Sequence, residues 1–389
     1  MATEAPLRVF LLIGEESGDQ LAGPLVDSLK AMLGDAVTFE GVAGPQLQAR
    51  GITSLFPLSD TSVMGILPVI QRLPTLLKRI RQTGDAILAS KPDIVVAIDS
   101  PDFTHRVARR VRQEAPEIPI LAWVSPTVWA WRPGRAAKMR AYVDRLLAIL
   151  PFEPEVHRRL GGPETHYVGH PLADRMDALT PAPGERRALA DGPAKLLILP
   201  GSRTGEISRH MPILRDVLGE LDALGMEVDV TLPAVSHLAD ALEAMTADWP
   251  QAVRVVRGED EKRAAFRSAH AALAASGTVG LELAVAGVPT VIFYKLDPLA
   301  RALRFLVKVW TISLPNYILE RPVLREFLGE MARGDILARQ MLLFLQETPE
   351  RAALVASMQE VRARLTGDGE KAADRAARHV IETARSSKP

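Results

Sequence analysis

At 389 residues, with 47% hydrophobic and 24% charged side chains, the chain has the composition of a globular protein of about two domains. Its 47 basic and 47 acidic side chains cancel, which excludes a whole-surface basic field for nucleic acid. With no cysteine, disulfides, thiolate zinc sites, iron–sulfur clusters and a cysteine nucleophile are excluded as well.

The first apolar run, 7–13, follows a start that carries Glu4 and leads into Gly14-Glu15-Glu16. It reads as a buried strand of a cytoplasmic protein, not as an export signal. Further strands are expected at 37–42, 93–98, 118–124 and 145–150, then in a second series at 195–199, 227–232, 253–256, 271–275 and 290–294. Segments with helical spacing, such as 21–33 and 103–114, lie between them. Apolar runs without polar alternation suit parallel strands covered on both faces. The alternation predicts an α/β fold of two doubly wound, Rossmann-like lobes facing a cleft, with ligands at the C-terminal ends of the strands. A stretch rich in Pro, Gly and charge, 178–193, separates the two series. The domains expected are 1–175, 176–335 and a helical C-terminal segment, 336–389. No apolar stretch reaches the roughly 18 residues of a membrane span.

The loops after the strands carry the candidate chemistry. Gly14-Glu-Glu-Ser-Gly-Asp19 is a turn that either caps the next helix or offers its amides to a ligand. Asp99 and Asp102, just past the strand at 93–98, are candidates for a general base, or a helix-capping pair. Three of the five tryptophans, Trp123, Trp129 and Trp131, fall beside Arg132, Arg135, Lys138 and Arg140, a mixture that suits a sugar face, a phosphate or an interface. Gly201-Ser202-Arg203 combines free backbone amides with a guanidinium fork, suited to a diphosphate. Ser276-Gly277-Thr278 opens a helix that carries Glu282 one turn on, where a carboxylate can accept from two adjacent sugar hydroxyls. Two segments, 63–81 (with Arg72, Lys78, Arg79 and Arg81) and 301–310, interleave apolar and basic residues as a membrane-surface helix does. None of the 8 histidines shows metal-ligand spacing.

Taken together, Gly14-Glu-Glu-Ser-Gly-Asp19, Gly41-Val-Ala-Gly-Pro45, Ile98-Asp-Ser-Pro-Asp-Phe103, Ser125-Pro-Thr-Val-Trp-Ala-Trp-Arg132, Leu199-Pro-Gly-Ser-Arg203, Ala275-Ser-Gly-Thr278 and Ser313-Leu-Pro-Asn316 resemble the lipid-A-disaccharide synthases, bacterial inverting glycosyltransferases. The resemblance implies transfer of 2,3-diacylglucosamine from its UDP donor to 2,3-diacylglucosamine 1-phosphate, giving a β-1,6 disaccharide 1-phosphate and UDP, with no metal or cofactor. It implies an N-terminal lobe that faces the acceptor and the membrane, and a second lobe that holds the nucleotide sugar. Asp99 and Arg203 would be catalytic. Gly201, Ser202, Ser276, Gly277, Thr278, Glu282 and Asn316 would bind the nucleotide, and Glu16, Ser17, Gly18, Asp19, Trp129 and Arg132 the acceptor. The C-terminal segment would pack back on the first lobe or swap within a homodimer. The enzyme would sit peripherally on the cytoplasmic face of the inner membrane. A nucleotide-sugar epimerase or hydrolase on the same fold is the alternative.

Overall fold

The computed structural model describes residues 6–62, 72–275, 277–297, 309–367 and 369–386. Ser276, the apolar start of the 63–81 segment (63–71) and most of the 301–310 segment (301–308) lie outside the described residues.

β1 (Leu7–Ile13), β2 (Val37–Gly41), β3 (Ile94–Ile98), β4 (Ile120–Trp123), β5 (Arg145–Ala148) and β6 (Glu164–Tyr167) form a six-stranded sheet in the order β2-β1-β3-β4-β5-β6. β7 (Ala194–Leu199), β8 (Val228–Ala234), β9 (Val253–Arg257), β10 (Ala271–Ala275), β11 (Thr290–Tyr294) and β12 (Arg325–Leu328) form a second, in the order β12-β11-β10-β7-β8-β9. Every pairing is parallel. Parallel strands are covered on both faces by their crossover helices, and β3 and β10 are accordingly buried at every position. The edge strands β6 and β12 are only part buried and were not among the expected strands. Glu-Thr-His-Tyr and Arg-Glu-Phe-Leu offer no apolar run, because an edge needs less cover.

In each sheet the chain winds one way and then restarts on the other side of its first strand. The reversal lies between β1 and β3 in the first sheet, where Ile13 pairs with Ile98. In the second it lies between β7 and β10, where Leu199 pairs with Ala274. Loops leaving the C-terminal ends of such neighbours diverge to opposite faces and leave a crevice between them.

The chain divides into two compact units. One holds the residues up to Asp174 and those from Thr366 onward; the other is Arg175–Leu365. The C-terminal stretch taken from sequence as one segment, 336–389, is therefore shared. The helix Gly334–Leu345 packs on the helix Thr204–Ala223 in the second unit. The helix Ala372–Ser386 packs on Glu16–Leu33 in the first. Its buried stripe of Ala376, Ala377, Val380 and Ala384 recurs at helical spacing and joins the first core. Ser28 Oγ donates to Asp374 Oδ1 at 2.6 Å beside it.

Candidate active site

In the first unit, β1 and β3 end side by side, so the loops that follow them meet. Ser17 Oγ donates to Asp99 Oδ2 at 2.6 Å, and the Ser100 amide donates to Asp99 Oδ1 at 2.8 Å. Asp99 and Ser100 lie at φ +55° and +44°. That left-handed conformation costs a non-glycine residue roughly 1–2 kcal/mol. It is held by the Asp99 amide on the Trp123 carbonyl at 3.0 Å and by the Thr104 hydroxyl on the Asp99 carbonyl at 2.8 Å. Strain of this kind persists where the surroundings impose it, and it clusters at functional sites. Val124 and Arg132, at φ +78° and +53°, lie on the neighbouring loop after β4.

Glu15 rather than Glu16 is the carboxylate turned to this group: Ser100 Oγ donates to its Oε1 at 3.0 Å. Burial raises the Glu15 pKa above the ordinary carboxylate value; the Ser100 hydrogen bond opposes this, and the charges of Asp99 and Asp102 add to it. Glu16 and Ser17 are exposed.

Several sequence expectations need correction. Asp19 does not face a ligand: it is fully buried and accepts from the amides of Gly44 at 3.0 Å, Gln46 at 2.7 Å and Leu47 at 3.2 Å. It satisfies the orphan donors that open the short helix Pro45–Gln48. Gly18 is buried as well, and a Cβ there would stand 3.0 Å from the Ile98 carbonyl oxygen, so its role is to bring helix and sheet together. Trp129 is committed to packing: its indole N–H donates to Glu153 at 3.3 Å, and its ring meets Phe152 edge-on at 5.5 Å. Trp131 is the exposed aromatic of that loop, with the Arg132 guanidinium 5.2 Å over its ring. Asp102 is exposed and pairs with Arg135 at 2.7 Å.

In the second unit, a cavity of about 630 Å³ opens at the reversal between β7 and β10. It collects Gly201, Ser202 and Arg203 from beyond β7, Ala234 and Ser236 from β8 onward, Gly258 and Lys262 from beyond β9, and Gly277, Thr278 and Glu282 from beyond β10. Gly201 sits at φ +106°, and a Cβ there would come 2.5 Å from Glu206 Oε2. Only glycine meets both demands. The helix Thr204–Ala223, whose first turn brings Glu206 to the cavity lining, starts with no side chain capping its first amides. Arg203 is exposed and tethered to Glu206 at 3.2 Å; the same Glu206 oxygen accepts from Tyr294 at 3.1 Å. Glu282 pairs with Lys262 Nζ at 2.9 Å.

Lys262, Glu206 and Tyr294 were not singled out from the sequence. Lys262 sits in a charged run that looks like a solvated helix face, and no spacing signal links it to Glu282. Asn316 also needs correction. It is 1% exposed; its Oδ1 accepts from the amides of Val323 and Leu324, and its Nδ2 donates to Thr311 and the Leu324 carbonyl. Its side chain is used in pinning its own loop, which nothing in the sequence anticipates. His210 is structural too. Its ring spans from the Pro200 carbonyl at 2.6 Å to the Lys295 amide at 3.1 Å, which anchors the loop after β7. That amide can only donate, so Nε2 accepts and Nδ1 carries the proton of a neutral ring. Burial lowers its pKa, in keeping with that state.

Among the described residues, no helix is long and apolar enough to cross a membrane, and no three His, Asp or Glu side chains are grouped to hold a metal. In overall fold the chain is similar to the S. aureus MnaA–UDP co-structure, at TM-score 0.64 and 13% identity over 98% of this chain and 99% of that one. It is equally similar to the calicheamicin glycosyltransferase CalG4, at TM-score 0.63 and 13% identity over 99% and 100%. At such identities the likeness concerns the fold of two parallel sheets. Sequence relatives are far nearer. The lipid-A-disaccharide synthase of Rhodopseudomonas palustris strain HaA2 is 49% identical over 90% of this chain and 89% of its own length. That of Nitrobacter hamburgensis is 45% identical over 100% and 98%. The family model described as lipid-A-disaccharide synthetase matches residues 9–380, and the chain belongs to that family of glycosyltransferases of lipid A biosynthesis.

Proposed function

We propose that the protein transfers 2,3-diacylglucosamine from UDP to the 6-hydroxyl of 2,3-diacylglucosamine 1-phosphate in one inverting displacement. The cavity between the β7 and β10 loops carries this reading, because it gathers the Gly201-Ser202 turn, the Arg203 guanidinium and the Glu282 carboxylate in one place, beside an uncapped helix start. Backbone amides and Arg203 suit the diphosphate, and Glu282 suits the two ribose hydroxyls. In the first unit, Asp99 removes the acceptor's hydroxyl proton. The freed oxygen attacks the anomeric carbon from the face opposite the diphosphate, and the carbon–oxygen bond to phosphate breaks with its electron pair leaving on UDP. One displacement at an α-linked donor gives a β-linkage. The negative charge that grows on the leaving oxygen is met by Arg203 and by amides already oriented, so the reading requires no metal.

The test is UDP release from purified protein given the acylated donor with and without the phosphorylated acceptor. Release that depends on acceptor, with a β-linked disaccharide as product, supports the reading. Release from donor alone would indicate a hydrolase, and an α-linked product would overturn the single displacement.

A further inference from the structure

The first unit holds two adjoining cavities along the loop and helix that follow Asp99, both lined by Asp102. The smaller, about 260 Å³, is lined by Arg106, Arg109, Arg132 and Arg135 with Asp102 and His105. Asp102 is its one acid and is taken by Arg135. Arg106, Arg109 and Arg132 have no carboxylate partner among the described residues. Two of them lie over aromatic rings instead, Arg109 over Tyr142 at 5.0 Å and Arg132 over Trp131 at 5.2 Å. A ring face orients a guanidinium without neutralising it. His105 adds no charge at neutral pH: burial, then Arg135 and Arg109, push its pKa down to about 4. Three uncompensated cations around one small cavity repel each other, and an anion relieves that repulsion. Arg132 is also held in its left-handed conformation.

The larger cavity, about 340 Å³, shares Asp102, Arg106 and Arg132 with the first. Leu73, Leu76, Leu77, Ile80 and Phe103 give it an apolar wall, and Glu15, Thr61 and Ser100 complete its lining. A cationic pocket that opens into an apolar one matches a molecule with a phosphate at one end and a hydrocarbon chain at the other. We propose that Arg106, Arg109 and Arg132 form the subsite for the phosphate monoester of the acylated acceptor, whose acyl chain runs along the leucine wall. This rests on the acceptor named under the proposed function. Guanidinium forks suit the purpose because each offers two parallel donors to phosphate oxygens.

The experiment compares two acceptors in detergent micelles, one with the 1-phosphate and one without, for wild type, Arg106→Gln, Arg109→Gln, the double variant and Arg109→Lys. Wild type should favour the phosphorylated acceptor in kcat/KM by tenfold or more. The double variant should bring that ratio near one, and Arg109→Lys should lose part of it. A ratio preserved while both acceptors slow equally would overturn the subsite and leave the arginines structural. If wild type transfers to neither acceptor, the proposed function falls, and the subsite with it. Co-sedimentation with phosphatidylglycerol vesicles separates the sources of phosphate. Lost vesicle binding with an intact acceptor ratio would assign the cluster to membrane lipid and overturn the acceptor subsite.

Discussion

Ser17 Oγ donates to Asp99 Oδ2 at 2.6 Å, and this bond ties the start of the helix after β1 to the residue that follows β3. With the Ser100 amide on the other oxygen, the Asp99 carboxylate is aimed and not free to rotate. A base held in this way should dominate turnover. Asp99→Ala should lower kcat by roughly 10²-fold or more. Ser17→Ala should lower it by roughly tenfold, the scale of one hydrogen bond to a charged group. UDP affinity should be unchanged in both. Asp102→Ala should keep most of its turnover, since Asp102 pairs with Arg135. Steady-state kinetics beside UDP calorimetry checks this, and a dead Asp102→Ala with an active Asp99→Ala would move the role to Asp102.

Glu282 meets Lys262 at 2.9 Å across the mouth of the second-unit cavity. If its carboxylate holds the ribose, Glu282→Ala should weaken UDP binding by about 1–3 kcal/mol. Glu282→Gln, which keeps one acceptor, should weaken it less. Calorimetry with UDP and with uracil, which lacks the ribose, separates the roles: the loss should appear for UDP alone. Equal losses for both would mean that Glu282 shapes the pocket through Lys262.

Arg203 is tethered by Glu206 but exposed, so it can turn to an incoming diphosphate. A group engaged chiefly in the transition state changes kcat more than KM. Arg203→Ala should therefore reduce kcat far more than it raises the donor KM. Arg203→Lys should recover little, because a point charge does not reproduce the planar fork. Full recovery with Lys would reduce the role to bulk charge.

What the sequence made legible was position in the fold, and the roles proposed for the site residues follow from it. Asp99, Gly201 and Glu282 stand just beyond apolar runs, and the ends of buried parallel strands are where open α/β sheets place ligands. What failed were polar residues whose partners lie far along the chain. In Gly14-Glu-Glu-Ser-Gly-Asp19, nothing local distinguishes Ser17, which faces Asp99, from Asp19, whose amide partners arrive at Gly44, Gln46 and Leu47. Asn316 misled for the same reason: the amides that use it belong to Val323 and Leu324. The arginine pocket was only half visible: Arg132 and Arg135 stood out beside the tryptophans, but nothing in the sequence links them to Arg106 and Arg109, which come from the preceding helix.

His105 provides a pH test of the same pocket. Its folded pKa, about 4, lies below the ordinary 6.5 because of burial and then the charges of Arg135 and Arg109. As pH falls, the unfolded chain binds this proton first. The contribution to stability is therefore complete above pH 6.5 and is lost as pH falls through about 4. His105→Gln should flatten this part of the decline by about 1–3 kcal/mol. Urea unfolding at several pH values checks it; an unchanged pH slope would place the loss elsewhere.

The helix Leu73–Ser90 presents Leu73 and Leu77 to solvent at 43% and 51% exposure, next to exposed Lys78 and Arg81. Apolar and basic side chains on one helix are what a membrane surface takes up. The four cations of this stretch are not equivalent, however. Arg79 pairs with Asp60 at 2.6 Å and covers Phe56 at 4.8 Å, and Arg72 donates to the Ser59 carbonyl at 3.1 Å. Lys78 and Arg81 therefore remain as the free charges of the helix for anionic lipid, with Arg72, whose carbonyl partner leaves its charge uncancelled, just before it. Each contributes about 1 kcal/mol near such a surface, so Lys78→Gln with Arg81→Gln should weaken vesicle binding by roughly tenfold or more. Added salt should weaken wild-type binding similarly and the double variant much less. Leu73→Ser with Leu77→Ser should weaken binding at high salt too, because burial of apolar area is not screened. Arg79→Ala should mainly lower the melting temperature. Co-sedimentation with anionic vesicles at low and high salt, beside a thermal melt, distinguishes these outcomes. Unchanged sedimentation in charge and leucine variants that melt normally would remove this helix from the membrane and leave the 301–310 segment, whose Trp310 is 54% exposed, as the surface to test.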